Sequence, residues 1–309
     1  MKNLFFTLLF FQVIICYTQN YNSPESIDYD SLNSNYYISN SSNGQILKWD
    51  GNSLTIFADN IGFGPHGIEI VNNTIFVCSG SNLLAFDLED GSQILDYNLN
   101  ATFLNGITHS NQDLYISDFG DKMLYRYNFL NNNFEIISTF EERPNGVCFD
   151  EFNNRILVVC WGSNAPIYEV DLINNNHNTL LYSGLGNLDG IAIDDCGYFY
   201  VSAWSDNSIY RYSSNFQSVQ LVVENLSHPA DIFYNKITNT LAIPNSLNNT
   251  VDFLNFDFCN NLTLSKHPVI KKNIVKTVDG FGLNICEQSF RLMIDIFDDG
   301  SSKKRIILN

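Results

Sequence analysis

One short element returns six times along the chain, and no other feature narrows the fold as much. Three copies read PESIDYDSLNSNYYISN from Pro24, PHGIEIVNNTIFVCS from Pro65 and LNGITHSNQDLYISD from Leu104. PNGVCFDEFNNRILVVC from Pro144, LDGIAIDDCGYFYVSA from Leu188 and PADIFYNKITNTLAIPN from Pro229 complete the set. Each opens on Pro or Leu, then a variable residue, usually Gly, and then Ile or Val; a polar turn and a second β-rich run follow. The variable residues are Glu25, His66, Asn105, Asn145, Asp189 and Ala230, spaced by 41, 39, 40, 44 and 41 positions. Every unit continues through a turn rich in Gly, Asn and Ser into an alternating apolar strand, as in SSNGQILKWD and WSDNSIYRYS. Most add a fourth run, such as SLTIFAD or SVQLVVE. Helical periodicity is essentially absent. Four short strands per unit of about 40 residues predict an all-β chain, a six-bladed β-propeller with four-stranded antiparallel blades. A solenoid would use shorter coils, and a sandwich would not repeat its turn chemistry so faithfully.

The flanks read differently. Lys2 precedes an uncharged apolar run from Leu4 to Cys16, and polar residues follow. This is the layout of a secretory signal peptide over residues 1–19, with cleavage near Thr18 or Gln19, and it predicts a secreted or periplasmic protein. The run is too short for a membrane anchor, which needs about 18–20 apolar residues, and no other stretch could span a bilayer. The propeller is assigned to residues 20–256. Residues 257–309 do not continue the repeat: NICEQ or RLMIDIF supplies a fourth strand to the last blade, or the tail is a small appended module. Six cysteines remain beyond the signal, without any C-x-x-C, so a zinc knuckle or redox dithiol is disfavoured. Cys259 with Cys286 is the first pairing to test, and free buried thiols are the alternative.

With 16 Lys+Arg against 33 Asp+Glu, the chain has a formal net charge of −17. That balance argues against nucleic-acid and anionic-membrane partners, which need a basic face. It is compatible with cation binding, and the repeat says where. The innermost strand of each blade lines the central tunnel, so the variable positions form a ring at one mouth. Four of the six, Glu25, Asn105, Asn145 and Asp189, carry a side-chain oxygen, two of them as carboxylates. Hard divalent cations, calcium first among them, want such donors. Asn or Asp before Gly also caps turns, and that reading stands beside the first. His66 reads as a hydrogen-bonded tunnel residue, His109 as tunnel wall or interblade packing, and Asp118 as a turn cap.

The motifs P-E-S-I, P-N-G-V and L-D-G-I in units one, four and five resemble those of the senescence marker protein/gluconolactonase family. NHL-repeat propellers are similar more loosely. The gluconolactonase resemblance implies that Glu25, Asn145 and Asp189 hold a divalent metal, with Asn105 as its neighbour. It implies hydrolysis of a small lactone or ester, with Asp189 as the catalytic base taking a proton from water. Members that act on sugar lactones carry Arg two residues before the blade-three Asn, where this chain has Phe103. Ser26 also replaces the Gly that follows Glu in the family's first blade. The substrate side of the site is therefore His66, Phe103 and Asn105, and an apolar Phe103 argues against sugar hydroxyls. Neither a G-x-S-x-G elbow nor H-E-x-x-H occurs. The competing function is a non-enzymatic, NHL-like propeller that binds a ligand or protein on its loops. A monomer is expected in either case.

Overall fold

The structure is a computed structural model that describes residues 20–257 and three strands of the tail. The signal segment and NICEQ lie outside the described residues, as does the pairing of Cys259 with Cys286. Blade 1 holds β1 (Pro24–Asp30), β2 (Asn35–Asn40), β3 (Gln45–Trp49) and β4 (Leu54–Ala58). Blade 2 holds β5 (Ile68–Val71), β6 (Thr74–Ser79), β7 (Asn82–Asp87) and β8 (Gln93–Asn98). Blade 3 holds β9 (Leu104–Ser110), β10 (Asp113–Asp118), β11 (Met123–Asn128) and β12 (Asn133–Thr139). Blade 4 holds β13 (Arg143–Asp150), β14 (Arg155–Trp161), β15 (Pro166–Asp171) and β16 (His177–Tyr182). Blade 5 holds β17 (Leu188–Ile193), β18 (Phe199–Ala203), β19 (Ser208–Tyr212) and β20 (Val219–Val223). Blade 6 has three described strands, β21 (Phe233–Asn235), β22 (Thr240–Asn245) and β23 (Thr250–Asn255).

Each blade is an antiparallel meander because its turns are chemically specified. Asp30 Oδ1 accepts the backbone N–H groups of Leu32 and Asn33, and Asp150 and Asn235 repeat the device in blades 4 and 6. Most non-glycine residues with positive φ are Asn, among them Asn72, Asn111, Asn154 and Asn239, which explains the abundance of Asn. Asp118 is fully buried and caps its turn, accepting from the backbone of Phe103, Gly120 and Asp121.

The blades form a ring. Strand β1 packs on β5, β5 on β9, β9 on β13, β13 on β17, β17 on β21, and β21 back on β1. Hydrophobic clusters lie between neighbouring blades, such as Ile46, Ile75 and Val77 between blades 1 and 2. Burial of these interblade faces is what holds the ring together. Cys78, Cys148 and Cys160 are free buried thiols within it, and Cys196 is disulfide-bonded.

Closure uses side chains. Asp231 N–H donates to Glu25 O at 2.9 Å, Ser26 Oγ donates to Asp231 Oδ2 at 2.7 Å, and Asn235 Nδ2 donates to Tyr36 Oη at 3.0 Å. Tyr29, Trp49 and Phe253 pack their rings on or beside Tyr36. Tyr36→Ala is expected to cost about 3–5 kcal/mol in urea unfolding, and Tyr36→Phe, which loses the hydroxyl but keeps the ring, about 1 kcal/mol. Equal costs would place the closure elsewhere.

The tail segment RLMIDIF does not lie in blade 6. It forms the middle strand β25 (Arg291–Phe297) of a separate sheet, between β24 (Ile274–Asp279) and β26 (Ser302–Ile307). By contacts the chain divides into residues Met1–Phe253 and Leu254–Asn309. Among the described residues no helix is long and apolar enough to cross a membrane.

Candidate functional site

The glycine after each variable residue sets the geometry of the site. Gly67 N–H donates to Asn105 O at 2.9 Å, so the first strand of one blade abuts the variable residue of the next. Gly106 abuts Asn145 as closely, and Gly146 abuts Asp189: a side chain at either would collide with the neighbouring carbonyl. The strands can converge this closely only where Cβ is missing. The variable residues of blades 2 to 5 are thereby brought to one mouth of the ring.

Ser117 Oγ adds a tie across blades, donating to Asn145 O at 2.6 Å while accepting Gly106 N–H at 2.8 Å. Ser202 does the same between blades 5 and 6, donating to Ala230 O at 2.7 Å and accepting Gly190 N–H at 2.6 Å. The backbone under the site is thus fixed by hydrogen bonds that leave its side chains to face inward.

Two of those side chains are unsatisfied. Asn145 is 2% exposed and Asp189 4%, and each keeps a buried Oδ1 with no hydrogen-bond partner. Asn145 spends its Nδ2 on Leu188 O at 3.2 Å, which turns its carbonyl oxygen to the unpartnered side. Burial pushes the Asp189 carboxyl well above the usual range, and the charges of Glu25 and Asp231 push it further; the Asn145 amide opposes them. Burial likewise raises Glu25 to about 7, with help from Asp231. Glu25, Asn145 and Asp189 therefore share one electrostatic neighbourhood.

Orphaned buried oxygens beside crowded carboxyls are what an oxygen-coordinated divalent cation would satisfy. The residues present fit such an ion. Among the described residues no metal-ligating cluster of three His, Cys, Asp or Glu occurs. The donor set here is two carboxylates and an amide.

Asn105 is buried beside this group at 7% exposed. His66 is half-buried, its pKa lowered by burial, and its Nδ1 lies 3.2 Å from Gly64 O. A neutral ring that donates Nδ1–H to that carbonyl keeps Nε2 as an acceptor. Phe103 stands edge-on to His66 at 4.7 Å between ring centres.

Asp231 is the member that sequence reading missed. Ala230, the variable residue of unit six, is fully buried and brings no donor. The carboxylate of that blade comes from the next position, where units two to five have Gly. Burial raises Asp231 to about 7, Glu69 adds to this and the Ser26 hydroxyl opposes it. The signal was the substitution itself: Ser26 and Asp231 alone break the glycine ring, and they hydrogen-bond each other.

Beyond the glycines, Ile27, Ile68, Ile107, Val147, Ile191 and Ile232 make an aliphatic collar, one from each blade. A cavity of about 460 Å³ adjoins it, with Asp28, Glu69, His109, Lys236 and Asp231 itself in its walls. Neither Glu25 nor Asn145 nor Asp189 lines this cavity, which belongs to the opposite end of the inner strands. His109 is an ion-pair partner rather than apolar packing, for its Nδ1 meets Glu69 Oε1 across blades 2 and 3. Burial pulls the His109 pKa down, but the Glu69 hydrogen bond and charge outweigh it.

No protein-family model matches the sequence, and no curated protein matches it. Solved structures do. A gluconolactonase from Xanthomonas campestris aligns with a TM-score of 0.65 at 13% identity, covering 74% of this chain and 84% of that one. Virginiamycin B lyase from Staphylococcus aureus aligns at 0.57 and 11% identity, covering 76% of this chain and 84% of the lyase. A chain of a nidogen/laminin complex aligns at 0.57 and 17%, covering 64% of this chain and 78% of its own length. At such identities what is shared is backbone architecture, the β-propeller that the sixfold repeat predicts.

Proposed function

We propose that the protein is an exported, divalent-cation-dependent hydrolase of small lactones or esters, with Glu25, Asn145 and Asp189 holding the cation. The observation that carries this reading is the pair of buried, unpartnered oxygens on Asn145 and Asp189, set against Glu25. Calcium is the ion of choice because every donor is a hard oxygen. When bound, the cation supplies positive charge to a carbonyl oxygen and to the oxyanion that develops from it.

The chain's own residues do the rest. Asp189 is assigned the proton of the attacking water as the water oxygen bonds to the carbonyl carbon, and it returns that proton to the alkoxide oxygen released when the acyl C–O bond breaks. Asn145 is held in place through the Leu188 carbonyl. Asn105 and His66 border the reacting group, His66 offering an acceptor nitrogen. Phe103 sets an apolar ring against His66 where sugar-lactone hydrolases carry Arg, so the expected substrates are apolar or aryl.

The test is hydrolysis across a panel of lactones and aryl esters. Activity is expected to disappear with chelator and return with calcium. Asn145→Ala is expected to remove at least ~100-fold of it, since one electrostatic stabiliser in a water-poor site is worth about that much. Calcium binding without turnover over the whole panel would leave the second reading, a ligand-binding propeller. The separate cavity walled by Asp28, Glu69 and His109 favours that reading.

A further inference from the structure

Six aromatic rings stand in unbroken succession around the mouth that holds Glu25, Asn145 and Asp189. His66 contacts Phe103 at 4.7 Å between centres, Phe103 contacts Phe119 at 5.8 Å, and Phe119 contacts Trp161 at 6.1 Å. Trp161 contacts Trp204 at 5.2 Å, and Trp204 stacks on His228 at 3.5 Å and 19°. They come from blades 2 to 6, and all six are half-buried, so each keeps some ring surface in solvent.

Register puts them at that mouth. Phe119 N–H donates to Phe103 O, Trp161 pairs with Arg143, and Trp204 N–H donates to Asn187 O. Those partners stand two residues before Asn105, Asn145 and Asp189 respectively. The Arg143 guanidinium lies 5.3 Å over the Phe119 ring. Phe63, 90% exposed and with φ at 60°, leans on Gly80 at the blade-2 end of the arc. In blade 1 the equivalent positions are Ser23 and Ser41, whose N–H donates to Ser23 O, so the arc opens where Glu25 stands.

A row of half-exposed rings is not needed for blade packing, which the interblade clusters supply. The geometry points to a stacking crescent, with Trp161 and Trp204 as its largest rings, that takes a flat aromatic group carried next to the reacting carbonyl. The substrate class is then an aryl lactone or aryl ester rather than a sugar lactone. This inference rests on the hydrolase reading for the word substrate, but binding at the crescent can be measured without turnover.

Two of the three tryptophans lie in the crescent, and the third, Trp49, packs against Tyr36 and Phe253. The experiment uses the full chain carrying Trp49→Phe, stripped with chelator, so that fluorescence reports only the crescent and nothing is hydrolysed. Dihydrocoumarin, an aryl lactone, is expected to change the emission saturably, while γ-butyrolactone, the same function without the ring, leaves it unchanged. Trp161→Leu is expected to weaken dihydrocoumarin binding about tenfold, and Trp161→Phe, which keeps a ring, to stay within about threefold. No saturable change with dihydrocoumarin overturns the crescent. So does an equal response to γ-butyrolactone, or a Trp161→Leu variant that melts like its parent and binds as well. Hydrolysis without the fluorescence response would sink the crescent and keep the hydrolase. The response without hydrolysis of any lactone or ester would do the reverse.

Discussion

Gly146→Ala is expected to destabilise the protein by about 3 kcal/mol or more, although it adds a single methyl group. A Cβ at Gly146 would collide with the Asp189 carbonyl and come within 2.8 Å of Gly190 Cα. Both are backbone atoms of the next blade, held by the Ser202 hydroxyl and by strand β17. No rotamer change relieves such an overlap, so two blades must separate along the axis. Asn145 and Asp189 flank the point of separation, and the ion site is expected to be lost with the stability. Gly62→Ala is the control: no atom lies within 4 Å of its Cβ, and its cost should stay within about 0.5 kcal/mol. Urea unfolding of both variants decides the matter, and similar midpoints would mean that the axial approach of the strands is not what the glycines serve.

The ring itself was legible because each blade must bury its faces against two neighbours, which forces the same pattern into every unit. The variable residues Asn105, Asn145 and Asp189 were legible for a related reason: the glycine beside each is a steric requirement of the approach. What lay beyond reading was set by register between segments about 40 residues apart. The meeting of His109 with Glu69, and the succession from His66 to His228, depend on how blades are rotated about the axis. Trp161 and Trp204 look like parts of turns until the neighbouring blade is in place. Asp231 was hidden because it occupies a glycine position in the one unit whose variable residue is inert. RLMIDIF has the alternation of a strand, but alternation does not say which sheet a strand joins.

The second large effect concerns acidity. Burial raises Glu25 and Asp231 to about 7 and holds Asp28 and Asp189 well above their ordinary range. Such a carboxyl keeps its proton in the folded chain at a pH where the unfolded chain has lost it. Its contribution to stability is therefore full below the unfolded value, about 4, and is lost as pH rises through the folded value. The pairing of His109 with Glu69 has the same sign, since the folded His109 pKa is raised. In chelator, the melting temperature is expected to fall between pH 5 and pH 8. A shift such as that of Glu25 corresponds to about 3 kcal/mol, or roughly 5–10 °C for a domain of this size. Glu25→Gln removes one buried charge and is expected to melt higher than the natural chain in chelator at pH 8.

Calcium reverses that order if the carboxylates and the Asn145 oxygen share one ion, because it favours their ionised forms and binds only the folded chain. The decisive measurement is a melting curve in calcium and in chelator, at pH 5 and pH 8, for the natural chain and Glu25→Gln. Calcium is expected to raise the melting temperature of the natural chain strongly at pH 8 and little at pH 5, and to leave Glu25→Gln almost unmoved. A calcium shift of the same size in both chains, or no shift at either pH, would contradict an ion held on the axis by Glu25, Asn145 and Asp189.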